Sequence, residues 1–348
     1  MKIKKHIFNW IFSVIIAVFF FTIAFKNVDF DEILPYFSKI DYLYLVIFFM
    51  LYFFTNIIRT FRWKVIISSV KENSSFLNLF TSMMIGYGVN SIVPRLGEFY
   101  RAFFLAKWEN ISRGAMFGTV IVERIIDLIA LFLSVLLSIY LYDGNIYIDI
   151  PWLKTALIWT GTLTLTLTLF IIVLVVAGER SYSFIIILIR RYSPTFAQQT
   201  ESLFEKLVTG FSSINGKQNF IYVIIYTIMI MFFYGLTSYA GFMIFPSELA
   251  NGGTMKIAWI LMTISALGIV IPTPGGLGSY HAIVIFVLST LFNFSEEISV
   301  AYAILTHAVS YFGFIIIAII SYIFVNIHRK KNNLPIYNFW SVWKNGDE

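Results

Sequence analysis

The chain has no cysteine in its 348 residues, which excludes disulfides, thiolate metal sites and thiol nucleophiles and leaves the redox compartment open. Charge is also scarce. Asp, Glu, Lys and Arg make up 13% of the residues, against about 25% in a soluble domain. There is no Gly-x-x-x-x-Gly-Lys phosphate loop, so direct ATP use is not expected. There is no His-Glu-x-x-His zinc motif and no nucleophile set beside a base in sequence. No metal and no cofactor are therefore assigned. What the chain holds instead is apolar surface: 59% hydrophobic residues and 37 Phe, with a mean hydropathy of +0.81. That apolar share exceeds the roughly 45 to 50% of globular domains, and the reading is an all-α integral membrane protein. The net charge of +6 does not point to nucleic acid. The basic residues sit in short loops beside apolar spans, where they report orientation, rather than in a stripe with exposed aromatics.

A span needs roughly 20 apolar residues to cross a core of about 30 Å. Six segments qualify, near 7 to 25, 42 to 58, 115 to 142, 152 to 177, 219 to 246 and 299 to 327. The first follows Lys2, Lys4 and Lys5 but lacks a small-x-small cleavage site, so it reads as a retained anchor rather than a signal peptide. Two further apolar stretches, 76 to 107 and 255 to 293, are broken at their centres by Pro94 and Gly97 and by Pro272, Pro274, Gly275, Gly276 and Gly278. Such residues interrupt the helical hydrogen-bond ladder. At membrane depth a broken backbone is tolerated only inside protein or along a wet cavity. Both stretches are therefore expected to be re-entrant hairpins of two short helices.

Setting Leu96-Gly97 on Leu277-Gly278 brings the flanking spans into register as well. With Lys and Arg kept on the cytoplasmic side, the acidic loop of Asp29, Asp31, Glu32 and Asp41 faces out, and Arg59, Arg62, Lys64, Lys107 and Arg113 face in. The loop with Arg180, Arg190, Arg191, Lys206 and Lys217 faces in, Glu296 and Glu297 face out, and Arg329-Lys330-Lys331 faces in. Both termini are then cytoplasmic and the two units point in opposite directions. The expected organisation is an anchor helix and external loop over 1 to 41, repeat 1 over 42 to 142 and a linking span with a cytoplasmic loop over 143 to 218. An inverted repeat 2 over 219 to 327 and a cytoplasmic tail over 328 to 348 follow. Inverted repeats with discontinuous helices support alternating access around a midplane site.

Six charged residues fall within the first unit: Arg95, Glu98 and Arg101 in the broken segment, and Glu123, Arg124 and Asp127 in the span after it. A charge at the centre of a membrane helix costs about 2.5 to 3.5 kcal/mol or more, so such residues mark partners or pathways. Helical spacing lets Glu98 meet Arg101 and puts Glu123, Arg124 and Asp127 within pairing reach. One reading is a neutral set of salt bridges that pins the hairpin. The other is a site where guanidinium groups take an anionic lipid headgroup in bidentate contacts. The second unit carries neutral polar groups at matching places, namely Thr273, Ser279, Tyr280 and His281, then Thr306, His307 and Ser310. Its histidines read either as satisfied core residues or as groups able to couple a proton. Asn90 suits the broken backbone ahead of Pro94, or else the headgroup. Arg59, Arg62 and Trp63 read as an interfacial anchor.

Three ordered motifs carry a resemblance: Asn90-Ser-Ile-Val-Pro94-Arg95-Leu96-Gly97-Glu98-Phe-Tyr-Arg101, Glu123-Arg124-Ile-Ile-Asp127 and Pro272-Thr-Pro274-Gly275-Gly276-Leu277-Gly278, with Arg59-Thr-Phe-Arg62-Trp63 ahead of them. In these the chain resembles the flippase-like, lysylphosphatidylglycerol synthase transmembrane-region family. It departs from the family pattern in having Pro94 and Arg95 adjacent, and in having Tyr280-His281 where many members have an acidic residue. The resemblance implies a lipid translocator of the cytoplasmic membrane rather than an enzyme. Its partners would be a membrane lipid as substrate and, as open cases, a homo-oligomer or a separate lipid-modifying enzyme. The chain ends at residue 348, shortly after its last span, and no aminoacyl transfer is expected of it. A secondary transporter of a small anionic solute, an intramembrane enzyme using Glu123, Asp127 and His307 as acid and base, and a structural partner of envelope machinery are the alternatives.

Overall fold

The computed structural model describes residues 2–343 apart from 27, 69, 178, 195, 199, 202, 203, 205–215, 247, 269 and 270. Its described residues form helices and turns with no strand. In order they are α1 (Lys2–Ala24), α2 (Phe30–Ser38), α3 (Tyr42–Ile67), α4 (Phe76–Ile92), α5 (Gly97–Glu109), α6 (Arg113–Leu141) and α7 (Ile146–Asp149). After these come α8 (Pro151–Ala177), α9 (Glu179–Tyr192), α10 (Lys217–Met243), α11 (Glu248–Gly252), α12 (Met255–Gly268), α13 (Ser279–Phe286) and α14 (Glu296–Lys331). Part of the expected cytoplasmic connector, 205–215, lies outside the described residues.

Among the described residues, five helical segments are long and apolar enough to cross a membrane: Tyr42–Ile67, Pro151–Phe170, Lys217–Met243, Pro274–Leu291 and Glu296–Lys331. This is a multi-pass membrane protein. Four of the six expected spans are among the five, and the expected anchor is the 23-residue helix α1, in which Ile11–Ala24 is apolar. α6 is 29 residues long but carries Glu123, Arg124 and Asp127 in its middle. The segment Pro274–Leu291, expected as half of a hairpin, is itself among the five. α14 has 36 residues and is thus about 54 Å long at 1.5 Å per residue, well beyond an apolar core. Its last turn, His328 to Lys331, is basic, as suits a helix end at an aqueous boundary.

Polar caps start the long helices. The Asp41 carboxylate accepts from the Leu43 amide at 2.8 Å ahead of α3, and the Ser112 hydroxyl accepts from the Ala115 amide at 3.1 Å ahead of α6. These bonds satisfy amides that have no partner in the first helical turn. Between α4 and α5 the chain turns through Val93–Leu96, with Arg95 in the left-handed region at φ 64°. That conformation disfavours a side chain by roughly 1 to 2 kcal/mol. α5 then folds back along α4, and the closest approach is glycine on glycine: a Cβ added to Gly97 would stand 1.8 Å from the Gly86 carbonyl oxygen. Asn90 serves the break as well, its side-chain oxygen accepting from the Gly97 amide at 2.8 Å.

The second broken segment runs from α12 through a single 3-10 turn, Pro274–Gly276, into α13 and on into a π-helical stretch, Val287–Leu291. Gly275, Gly276 and Gly278 hold φ of 57°, 80° and 79°. The tips of the two broken segments touch. A Cβ on Gly275 would lie 3.3 Å from the Ser91 Cα, and the Tyr311 hydroxyl of α14 donates to the Ser91 carbonyl at 3.0 Å.

Several helix contacts recur between the two halves. Matching α3, α4, α5 and α6 with α10, α12, α13 and α14 pairs α3 with α10 and sends α4 on α14 to α12 on α6. It also sends α4 on α5 to α12 on α13, α5 on α6 to α13 on α14, and α3 on α4 to α10 on α12, and every one of these pairs is in contact. Beyond α14 the tail folds back against α5. The rings of Trp343 and Phe103 lie 4.9 Å apart and those of Phe339 and Phe104 5.3 Å apart, with Val342 fully buried.

Because the Gly86–Gly97 crossing has no room for a methyl group, Gly97→Ala is expected to force α5 off α4 and to destabilise the protein by about 1 to 3 kcal/mol or more. Thermal unfolding of the purified variant would read this as a lowered midpoint. An unchanged midpoint would contradict the close crossing.

Candidate functional site

Helical spacing sets the charged cluster on three elements. α3 presents Arg59 and Arg62, three apart, α5 presents Glu98 and Arg101, and α6 presents Glu123, Arg124 and Asp127 within little more than one turn. The centre is Glu123. Its Oε1 accepts from Arg59 at 3.1 Å, Arg62 at 3.2 Å and Arg124 at 3.2 Å, while its Oε2 is bonded to Arg101. Asp127, one turn on, accepts from Arg59 at 2.8 Å and from Arg62, and pairs with Arg124 at 3.0 Å. Glu98 lies at the edge, 3.7 Å from Arg101 and 3.9 Å from Arg124.

The other half of the molecule contributes neutral oxygens. Arg59 donates to the Tyr234 hydroxyl at 2.7 Å and Arg62 to the Thr227 hydroxyl at 3.2 Å, both on α10. Two aromatic faces take the rest of the charge. The Arg101 guanidinium lies 4.3 Å from the Trp63 ring centroid and that of Arg59 5.8 Å from the Tyr87 ring. Trp63 is itself held by a bond from its indole N–H to the Thr119 hydroxyl at 3.1 Å.

The cluster has an inner and an outer edge. The side chains of Glu123 and Arg62 are 0% exposed and Arg101 1%, whereas Asp127 is 18%, Glu98 22% and Arg124 36% exposed. Four guanidinium groups (Arg59, Arg62, Arg101, Arg124) face three carboxylates (Glu98, Glu123, Asp127), a formal excess of one positive charge. Donor capacity is in surplus too. The Nε atoms of all four arginines and Nη1 of Arg101 are buried without a hydrogen-bond partner. Chemically, this is a cationic cluster whose accessible edge is Arg124, flanked by the part-exposed carboxylates of Asp127 and Glu98.

The sequence reading is corrected here in two respects. Arg59 and Arg62 are not interfacial anchors. Both are buried and bonded to the α6 carboxylates, because a guanidinium in apolar surroundings is stable only beside its counter-charge. A signal was present: Thr55, Asn56, Arg59, Thr60 and Arg62 run down one α3 stripe at helical spacing, and all five are buried. The arginines bonded to Glu123 and Asp127 number four with Arg59 and Arg62 included, while Arg95 lies exposed at the hairpin turn. Asn90 is engaged by the broken backbone.

The second polar set forms its own group. The Thr273 and Ser279 hydroxyls lie 3.0 Å apart, the Tyr280 and Thr306 hydroxyls 3.1 Å apart, and the His307 Nε2–H donates to the Gly275 carbonyl at 3.0 Å. The ring of His281 stands 4.6 Å from that of His307. Among the described residues, no His, Asp and Glu group capable of holding a metal occurs.

Removing the central carboxylate by Glu123→Gln leaves four buried or partly buried cations with two carboxylates. A loss of about 3 to 5 kcal/mol is expected, the usual effect of breaking a buried pair. Adding Arg101→Met, which removes a cation hydrogen-bonded to Glu123, is expected to recover part of that loss. A double-mutant cycle on thermal midpoints checks this, and additive losses would contradict a shared network.

A model of the lysylphosphatidylglycerol synthase transmembrane region matches residues 10–318, which takes in both broken segments and the whole charged cluster. A UPF0104 membrane protein of Methanothermobacter thermautotrophicus is 24% identical over 286 residues, covering 78% of this chain and 82% of the relative. A UPF0104 membrane protein of Methanocaldococcus jannaschii is 32% identical over 130 residues, covering 36% of this chain, and that match spans only 38% of the relative's length. No solved structure matches. With nearly its whole membrane region matched, the chain belongs to the lysylphosphatidylglycerol synthase transmembrane-region family.

Proposed function

We propose that the protein is a flippase-like lipid translocase of the cytoplasmic membrane that moves an anionic or aminoacylated phospholipid headgroup by alternating access. The observation that carries this reading is the cluster of four arginines and three carboxylates, buried among helices of a multi-pass membrane protein with one positive charge in excess. The surplus cation and the buried N–H groups without a partner support this reading, beside a Glu98 Oε2 that likewise lacks one. A phosphate supplies the missing charge and the missing acceptors together, and guanidinium gives it bidentate contacts. Asp127 and Glu98, at the open edge, compete with the phosphate for Arg124 and so provide a route to release.

Alternating access is supported by the recurring helix contacts of the two halves and by the two touching broken segments. In the proposed topology the α4–α5 and α12–α13 pairs are re-entrant hairpins from opposite sides, the two halves are inverted repeats, and both termini are cytoplasmic. Rocking one half against the other then opens the cluster to each leaflet in turn. The acyl chains stay in the bilayer throughout.

Vesicles containing the purified protein and headgroup-labelled phosphatidylglycerol test the reading. Wild type is expected to exchange label between leaflets, and Arg124→Gln to slow the exchange at least tenfold while keeping the wild-type thermal midpoint within a few degrees. Equal exchange by the variant would remove Arg124 from the site. Counterflow of a water-soluble anion without lipid movement would replace lipid by a small solute as the substrate.

A further inference from the structure

α5 presents two faces. Glu98 and Arg101 turn toward the charged cluster, while Tyr100, Phe103, Phe104 and Lys107 fall at i, i+3, i+4 and i+7, a stripe along a neighbouring side of the helix. That stripe is covered by residues 334–343, which follow α14 and lie beyond the family match, whose last residue is 318. The ring of Phe339 stands 5.5 Å from that of Tyr100 and 5.3 Å from that of Phe104. The ring of Trp343 stands 5.4 Å from Tyr100 and 4.9 Å from Phe103. The Lys107 ammonium lies 5.8 Å from the Tyr337 ring centroid, and the Trp343 carbonyl accepts from Arg113, at the start of α6, at 3.4 Å. Val342 is fully buried.

The same segment is tied to α14. After Lys331 the chain reverses through Asn333, which holds a left-handed φ of 54°, and Pro335 follows, as suits the end of a helix. The Leu334 amide donates to the Arg329 carbonyl at 2.9 Å and the Arg329 Nε to the Pro335 carbonyl at 2.8 Å. Earlier on α14, the Tyr322 hydroxyl donates to the Tyr337 carbonyl at 3.1 Å. Phe339 is the rivet, because its ring stands 5.4 Å from that of Tyr322 on α14 as well as against Phe104 on α5. α5 belongs to the first half and α14 to the second, so the segment crosses from one to the other. It does so from the surface, with Trp340 82% exposed. An element covered on one side only is among the first to open locally.

We propose that residues 334–343 form a releasable strap that holds α5 to α14 and must detach before α5 can move against the second half. The bond from Arg101 to Glu123 depends on where α5 lies, so the strap sets whether this broken segment can leave the position in which its charges are paired. The hold on α5 is a property of the packing alone, whereas its control of headgroup exchange rests on the translocase reading above.

Phe103→Cys with Trp343→Cys in the full-length protein, which has no natural cysteine, gives one variant with two states in vesicles holding headgroup-labelled phosphatidylglycerol. Joined by a short, reducible bifunctional thiosulfonate, it is expected to exchange label at least tenfold more slowly than after reduction. Failure of the pair to join would place Trp343 away from α5 and overturn the proposal. Phe339→Ala with Val342→Ala, which removes the rivet and the buried anchor, is expected to raise amide hydrogen exchange across residues 97–109 at least fivefold while 279–286 keep the wild-type rate. Equal label exchange by the joined and reduced forms would overturn the strap's control, and wild-type protection of 97–109 in the loosened variant would overturn the hold itself. A wild type that moves no lipid defeats the translocase reading instead, and the hydrogen-exchange comparison then decides the strap.

Discussion

The bonds from Arg59, Arg62, Arg101 and Arg124 to the single carboxylate of Glu123 are the interactions on which the rest of the arrangement depends. None of these groups is tolerated alone in a hydrocarbon environment. Each is held by helices that meet only if the fold is complete: α3, α5 and α6 supply the charges, and α10 supplies two hydroxyls. The cluster therefore acts as a register pin. It fixes α5 against α6 and α3 against both, and it ties the first half to the second through Tyr234 and Thr227.

The glycine contacts make that convergence possible. Arg101 reaches Glu123 because α5 returns along α4 with Gly97 against Gly86, a crossing with no space for any side chain. On the other side, positive φ at Gly275, Gly276 and Gly278 lets the second broken segment bend sharply and press its tip on Ser91. Gly278 also lets α1 come close, since a Cβ there would stand 2.5 Å from the Ala17 carbonyl oxygen. Charge and backbone thus divide the task. Glycines bring the broken segments together, and the ion network gives one of them its polar content.

Much of this was readable from the residues. The two breaks, the apolar spans and the pairing of Glu98, Glu123, Arg124 and Asp127 follow from Pro and Gly placement and from helical spacing. Two things were not. Arg59 and Arg62 lie a few turns from a basic boundary, and local sequence cannot tell an arginine reaching outward to water from one turned inward to a carboxylate. The answer depends on α6, some 60 residues away in the chain. The histidines were legible as residues of interest, but their approach to 4.6 Å was not, because it depends on how α13 packs on α14 and no periodicity links those helices.

The proposed opposite orientation of the two halves brings the cationic cluster to the interface between them, and the lack of natural cysteines makes it directly measurable. Single cysteines at Glu72 and Ser112, which bracket the α4–α5 pair, and at Glu296, which follows the α12–α13 pair, are labelled with a membrane-impermeant maleimide in sealed vesicles of known sidedness. Glu72→Cys and Ser112→Cys are expected to react from the cytoplasmic face and Glu296→Cys from the opposite face. Reaction of all three from one side, or of the first two from different sides, would contradict the inverted arrangement.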